Sequence, residues 1–208
     1  MSATVRRSPL AAPHLALGAS MSQEAGWELP ATYGDEVAEQ QCIRVSVGLA
    51  DVTARGKVDV HGELADPLAA AGDALVARIS EEWALALGGP GEEEILLPKM
   101  TTAAGPASMV TDATHLFAAF ALAGPGTERV VSLLSSWDPA SLAPGAATGA
   151  PIADVRAVVV RRDLEVPVLE IYVATEFARY VWESVVDAVS RADGGPVGWR
   201  ALRAQGWS

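Results

Sequence analysis

The chain has 208 residues, half of them apolar and a fifth charged, enough for one substantial core or two small lobes sharing one, and unlike a disordered tail. A formal net charge of −11, with basic residues scattered and adjacent only at Arg6-Arg7 and Arg161-Arg162, argues against a nucleic-acid or anionic-membrane surface. A single cysteine, Cys42, excludes an internal disulfide and a multi-cysteine metal site, and His14, His61 and His115 form no H-x-x-x-H or H-x-H pair, so no metal is expected.

In chain order, Arg6-Arg7 followed by the apolar run Leu10 to Leu17 could pass for a secretion signal, but Pro9, Pro13 and His14 interrupt it. No stretch reaches the roughly 18 apolar residues that span a membrane, and a cytoplasmic chain is expected. Residues 35–42 read as a short polar helix opened by Asp35. From Ile43 to Val60, β-branched residues and alternation predict two strands turning around Ala54-Arg55-Gly56. Cys42, just before them, reads as a small buried or half-buried thiol.

Leu64 to Ile79 has a near-helical period weakened by Gly72. Trp83 to Leu87 and Glu94 to Pro98 read as two strands joined at Gly88-Gly89-Pro90-Gly91, which makes Glu92-Glu93-Glu94 a solvated hairpin tip. Residues 99–107 then form a loop. Met109 to Asp112 and Leu116 to Ala123 are strands, and Gly124-Pro125-Gly126 opens a helix over 127–134. Residues 136–151 read as a connection, Val155 to Arg162 and Val168 to Val173 as strands. Thr175 is placed to cap a helix over 176–192 whose apolar face is Phe177, Val181, Val185 and Val189, with Trp182 alongside. Gly194-Gly195-Pro196 ends it. Mixed runs of strands and helices, without regular β-α alternation, predict an α+β fold.

Several motifs carry a family resemblance. Gly18-Ala19-Ser20-Met21, Gly26-Trp27-Glu28-Leu29-Pro30 and Tyr33 are followed by Arg44, Gly48-Leu49-Ala50-Asp51-Val52 and Gly56 to Gly62, with Val60, Gly62 and Ala65 forming V-x-G-x-x-A. Leu122-Ala123-Gly124-Pro125 and the closing Gly195 to Arg203 add to these. In order and spacing they resemble the folate-binding domain of the glycine-cleavage T-protein (aminomethyltransferase) family. Trp83 to Pro98, Val110-Thr111-Asp112, Trp137-Asp138-Pro139, Glu176-Phe177-Ala178 and Trp182-Glu183 are similar to the γ subunit of heterotetrameric sarcosine oxidase, a short cousin of that fold. The resemblance implies mixed and antiparallel sheets with flanking helices, two related halves (about 1–105 and 106–208) in a single domain over 1–208, and no C-terminal barrel.

It also implies tetrahydrofolate as the family's cofactor and directs attention to two segments. T-proteins carry Gly-Gly-x-x-Asp-Asp, whose carboxylate stabilises a cationic one-carbon unit. Here Gly88-Gly89-Pro90-Gly91-Glu92 offers no Asp-Asp, and Asp112, the nearest aspartate and the candidate catalytic residue, belongs to another motif. T-proteins also carry R-x-G-Y-T-G-E-x-G-x-E, whose first Glu grips the pterin edge. Setting the last Glu at Glu170 puts Val166 at the gripping position and Asp163 at the Tyr, with Glu165 one residue off. Glu165, Glu170 and Arg200, near the closing motif, are the candidate cofactor-binding residues. Each also has an ordinary structural reading: a turn cap for Asp112, solvated acids, a surface ion pair.

These departures count against tetrahydrofolate binding by this chain alone. The resemblance implies an accessory, γ-like subunit beside a larger flavoprotein that oxidises an N-methyl amine, with flavin on that partner chain. The alternative is a single-domain tetrahydrofolate-dependent enzyme. A third reading, kinship with tRNA- and iron–sulfur-linked relatives, lacks the K-G-C-Y-x-G-Q motif. Trp199 and Trp207 could anchor an interface or be ordinary core aromatics.

Overall fold

A computed structural model describes residues 5–162 and 164–207. In chain order the elements are β1 (Arg6–Arg7), α1 (Ala11–Ala16), β2 (Ser20–Glu24), β3 (Trp27–Thr32), α2 (Glu36–Val45), β4 (Gly48–Asp51) and β5 (Arg55–Gly62). Then come α3 (Ala65–Ala70), β6 (Leu75–Arg78), β7 (Trp83–Pro90), α4 (Glu93–Ala103), β8 (Ser108–Asp112), β9 (Phe117–Ala123) and α5 (Thr127–Leu134). Strands β10 (Ala147–Ile152), β11 (Val155–Arg162) and β12 (Val168–Ala174), helix α6 (Ala178–Arg191), β13 (Gly195–Pro196) and α7 (Trp199–Arg203) complete the fold, with short 3-10 turns at Pro139–Ser141 and Thr175–Phe177.

The strands form three open sheets, ordered β1-β3-β2, β10-β11-β12-β9-β4-β13 and β6-β7-β5-β8. Pairing is antiparallel except at β1–β3 and β4–β13. The fold is α+β, and no sheet among the described residues closes into a barrel.

The six-stranded sheet is buried on both faces, and alternation sorts its side chains. Ala118, Phe120 and Leu122 of β9, with Leu169, Ile171 and Val173 of β12, face α5 and α6, where Val181, Trp182, Val185 and Val189 are buried. Ala119, Ala121 and Ala123, with Val168 and Tyr172, face Leu85 and Leu87 of the four-stranded sheet. Small alanines let that second layer approach closely. Glu170 therefore points between the two sheets, a position that demands polar partners.

Several elements differ from the sequence reading. Ile43 to Val45 complete α2, whose N-cap Asp35 accepts from the amides of Val37 and Ala38. Arg55 and Gly56 begin β5 rather than making the turn, because Arg55 has a buried partner in Glu170. The run Leu64 to Ile79 is helical only through Ala70. It turns at Gly72, with φ +62°, and pairs as β6 with β7.

Glu94 to Pro98 is not a strand but the start of α4. A short apolar run fits either period, and burial of Leu96 and Met100 four residues apart selects the helix despite Pro98. The connection 136–151 contains strand β10. Thr175 does not cap α6; its hydroxyl donates to the His115 carbonyl, and Phe177 stays exposed. No described helix is long and apolar enough to cross a membrane.

Candidate functional site

A cavity of about 560 Å3 opens between the β2–β3 hairpin, the β4–β5 turn, the end of β7, the start of α4 and the C-terminal segment. That volume lies within the range of small-molecule sites. Leu29, Val52, Ala54, Leu75, Leu87 and Leu96 supply its apolar walls, and Trp199 and Trp207 its aromatic ones.

Under one end lies an ion cluster built from distant strands. Glu170 Oε1 accepts from Arg162 Nη1 at 2.6 Å, Trp207 Nε1 at 2.7 Å and Arg55 Nη1 at 3.1 Å. Its Oε2 accepts from the Tyr172 hydroxyl. Burial pushes the Glu170 carboxyl up, but Arg55, Arg162 and these hydrogen bonds outweigh it and hold the group below the ordinary range. The Tyr172 hydroxyl is raised by the same burial and by the Glu170 charge. The guanidinium of Arg55 also lies 5.3 Å from the Trp207 ring centroid.

At another part of the lining, β7 ends in Gly88-Gly89 and α4 follows. Glu92 Oε2 accepts from the Gly89 amide at 2.7 Å. A Cβ at Gly88 would stand 2.8 Å from that same oxygen, so glycine is what lets the carboxylate fold back against the strand. The next residue, Glu93, is buried and accepts from Arg6 Nη1 at 2.5 Å, pinning α4 to the N-terminal segment.

Asp51 contributes a third polar lining group. Its Oδ2 accepts from Ser8 Oγ at 2.5 Å and His14 Nε2 at 2.8 Å, and its Oδ1 from the Thr53 amide at 2.8 Å. Burial alone would raise its carboxyl; the bonds from His14, Ser8 and Thr53 lower it overall. With Nε2 donating to Asp51, His14 Nδ1 accepts the Tyr33 hydroxyl at 2.7 Å. Ser8 bonds the carboxylate and not the imidazole, so this is no nucleophile relay; it ties α1 and β3 to β4. Beside it, the buried Lys57 Nζ donates to the carbonyls of Thr53, Arg55 and Thr114 at 2.7, 2.9 and 3.2 Å.

Of the candidate site residues Asp112, Glu165, Glu170 and Arg200, only Glu170 belongs to this assembly. Asp112 is exposed at the end of β8, where its Oδ1 accepts from the Thr114 amide at 2.8 Å and caps a turn. Glu165 is exposed between β11 and β12, and Arg200 is exposed on α7 with its guanidinium 5.7 Å from the Trp199 ring centroid. None of these three lines the cavity. Asp163, aligned with the family Tyr, lies outside the described residues. No cluster of three metal-ligating side chains occurs among the described residues.

Sequence reasoning gave no site role to Arg55, Arg162 or Glu92, and read Trp207 as an interface anchor or an ordinary aromatic rather than a partner of Glu170. For Glu92 a signal existed: Gly88-Gly89-Pro90-Gly91-Glu92-Glu93 keeps the Gly-Gly-x-x-acid-acid spacing with glutamates in place of aspartates. Glu92 is not a hairpin tip but a cavity-lining carboxylate at the head of a helix.

The chain has a T-protein-like α+β fold. Its sequence is similar to aminomethyltransferases: it is 28% identical to that of Streptomyces coelicolor over 222 residues, covering 90% of this chain and 59% of the relative. It is 50% identical to that of Methylococcus capsulatus over 54 residues, 26% of this chain. The chain thus spans less than two thirds of the length of these relatives. No family model matches it.

In structure it is similar to the glycine cleavage system aminomethyltransferase T from Bartonella henselae, with a TM-score of 0.80 at 19% identity, covering 97% of this chain and 62% of that one. It is also similar to a chain of heterotetrameric sarcosine oxidase from Corynebacterium sp. U-96, with a TM-score of 0.66 at 17% identity, covering 91% and 97% respectively.

Proposed function

We propose that the chain, acting as one unit over 1–208, is a noncatalytic component of folate-linked one-carbon chemistry. It works beside a larger flavin-dependent subunit that oxidises an N-methyl amine. The observation that carries this reading is the state of Glu170. Both of its oxygens are engaged by this chain's own side chains, and Val166 stands at the position where the resemblance calls for a pterin-gripping carboxylate. A pterin edge presented here would lose its paired acceptor, a cost of about 1–3 kcal/mol per unmade bond.

The similarity to a chain of a heterotetramer supports a hetero-oligomer; flavin on the partner chain is what the sequence resemblance implies. The native mass and composition of the tagged protein, purified gently from its host, test the reading. Stoichiometric recovery with a larger yellow, flavin-absorbing chain is expected; elution near its own 21.6 kDa counts against it.

One feature favours a second reading, a tetrahydrofolate-dependent enzyme. Glu92 keeps the acidic position after Gly88-Gly89 and lines a ligand-sized cavity. A fixed carboxylate there would stabilise a cationic one-carbon unit on a bound folate. Tetrahydrofolate titration of the wild type and of Glu92→Gln separates the two. Saturable binding, with turnover lost in the variant, establishes the enzyme; no binding leaves the accessory role.

A further inference from the structure

We propose that the Arg55–Arg162 end of the cavity is an anion subsite that seats the carboxylate of a small ligand with a flat, apolar or aromatic body. Two guanidinium groups share one buried carboxylate there, so the cluster carries an excess of one positive charge. Arg55 is 3% exposed, its Nε has no hydrogen-bond partner among the described residues, and both arginines line the cavity. Buried charge is ordinarily paired, and an incoming anion would complete the pairing.

Among the described residues, no carboxylate other than Glu170 pairs with Arg55 or Arg162, and Asp73, which also lines the cavity, is exposed. Asp51 is committed to His14, Ser8 and the Thr53 amide, and Glu92 is hydrogen-bonded at Gly89. Glu24 pairs with Arg203 on α7. Lys57, facing Arg55 from the same strand, is satisfied by three carbonyls and adds no anion. Guanidinium groups favour planar carboxylates through paired N–H donors.

The remainder of the lining selects the body of the ligand. Trp199 and Trp207 line the cavity with Leu29, Leu75 and Leu87, an aromatic and apolar wall suited to a flat apolar body. This subsite belongs to the chain itself and exists with or without a partner subunit.

The test is titration of the full chain with 4-aminobenzoate and its neutral isostere 4-aminobenzamide, followed by tryptophan fluorescence and by thermal shift. Saturable binding of the benzoate is expected, with the amide weaker by roughly tenfold or more. Arg162→Gln, which leaves Arg55 on Glu170, should weaken the benzoate by a similar factor, and Arg162→Lys should recover part of the loss. Equal affinity for the two probes overturns the subsite, as does no saturable binding up to about 10 mM or an unchanged affinity in Arg162→Gln. If Arg162→Gln fails to fold, the pair of probes on the wild type decides. A benzoate site that forms in a protein unable to bind tetrahydrofolate separates this subsite from the folate-enzyme reading.

Discussion

At the scale of single residues, Glu170 holds the two halves of its charge cluster together. Glu170→Gln would leave Arg55 and Arg162 buried against a neutral amide, and breaking a buried pair in this way costs about 3–5 kcal/mol. Because the folded-state carboxyl lies below its ordinary value of 4.5, its contribution is fully present above that pH. It is lost as pH falls through the depressed folded value. Urea midpoints of the wild type should therefore drop on acidification below 4.5 more steeply than those of Glu170→Gln.

Lys57 has the opposite sign. Burial pulls its ammonium down from 10.5 to about 7, so between those values the unfolded chain binds more protons. Stability should rise with pH across that window. Lys57→Met should lack the rise, and at high pH, where the neutral amine still has two N–H donors, should fall below the wild type by about 1–3 kcal/mol because carbonyls that accept from Nζ lose their donor.

At the scale of elements, the strands β9, β11 and β12 and the apolar stripe of α6 were legible because period-2 and period-3.6 patterns are local. The cap at Asp35 was equally local, and Asp35→Ala should cost about 1 kcal/mol, read by chemical denaturation. Helix α4 was not legible: Ile95-Leu96-Leu97 with Pro98 fits a strand as well as a helix, and only the surface beneath Leu96 and Met100 chooses.

The junction of α7 is another non-local case. Gly198 donates to Glu39 Oε2 at 2.8 Å, and a Cβ there would stand 1.9 Å from the Ala31 carbonyl oxygen. Backbone cannot yield by that much without separating α7 from β3. Gly198→Ala should lower stability by more than about 3 kcal/mol or prevent folding, and hydrogen exchange should show protection lost first in β3 and α7.

At the scale of the whole molecule, a net charge of −11 surrounds a cavity whose inner end is positive. Long-range repulsion slows the approach of an anionic ligand, while the buried guanidinium groups are little screened. The association rate of a carboxylate ligand, measured by stopped flow, should therefore rise between about 10 and 300 mM salt, with dissociation nearly unchanged.

The sequence by itself determined the α+β class, the bounds of β8, β9, α5, β11 and β12 to within a residue, and the T-protein likeness, since each rests on short-range periodicity and motif spacing. It also pointed to Glu170 through its motif. What only the tertiary structure decided is the company Glu170 keeps. Arg55 lies 115 residues away in the chain, Trp207 lies 37 away and Arg162 lies 8 away on the neighbouring strand. The same step left Asp112, Glu165 and Arg200 on the surface and brought Glu92 to the cavity. A carboxylate's chemistry depends on burial and on charges within a few ångströms, and those are properties of packed layers that no local pattern encodes.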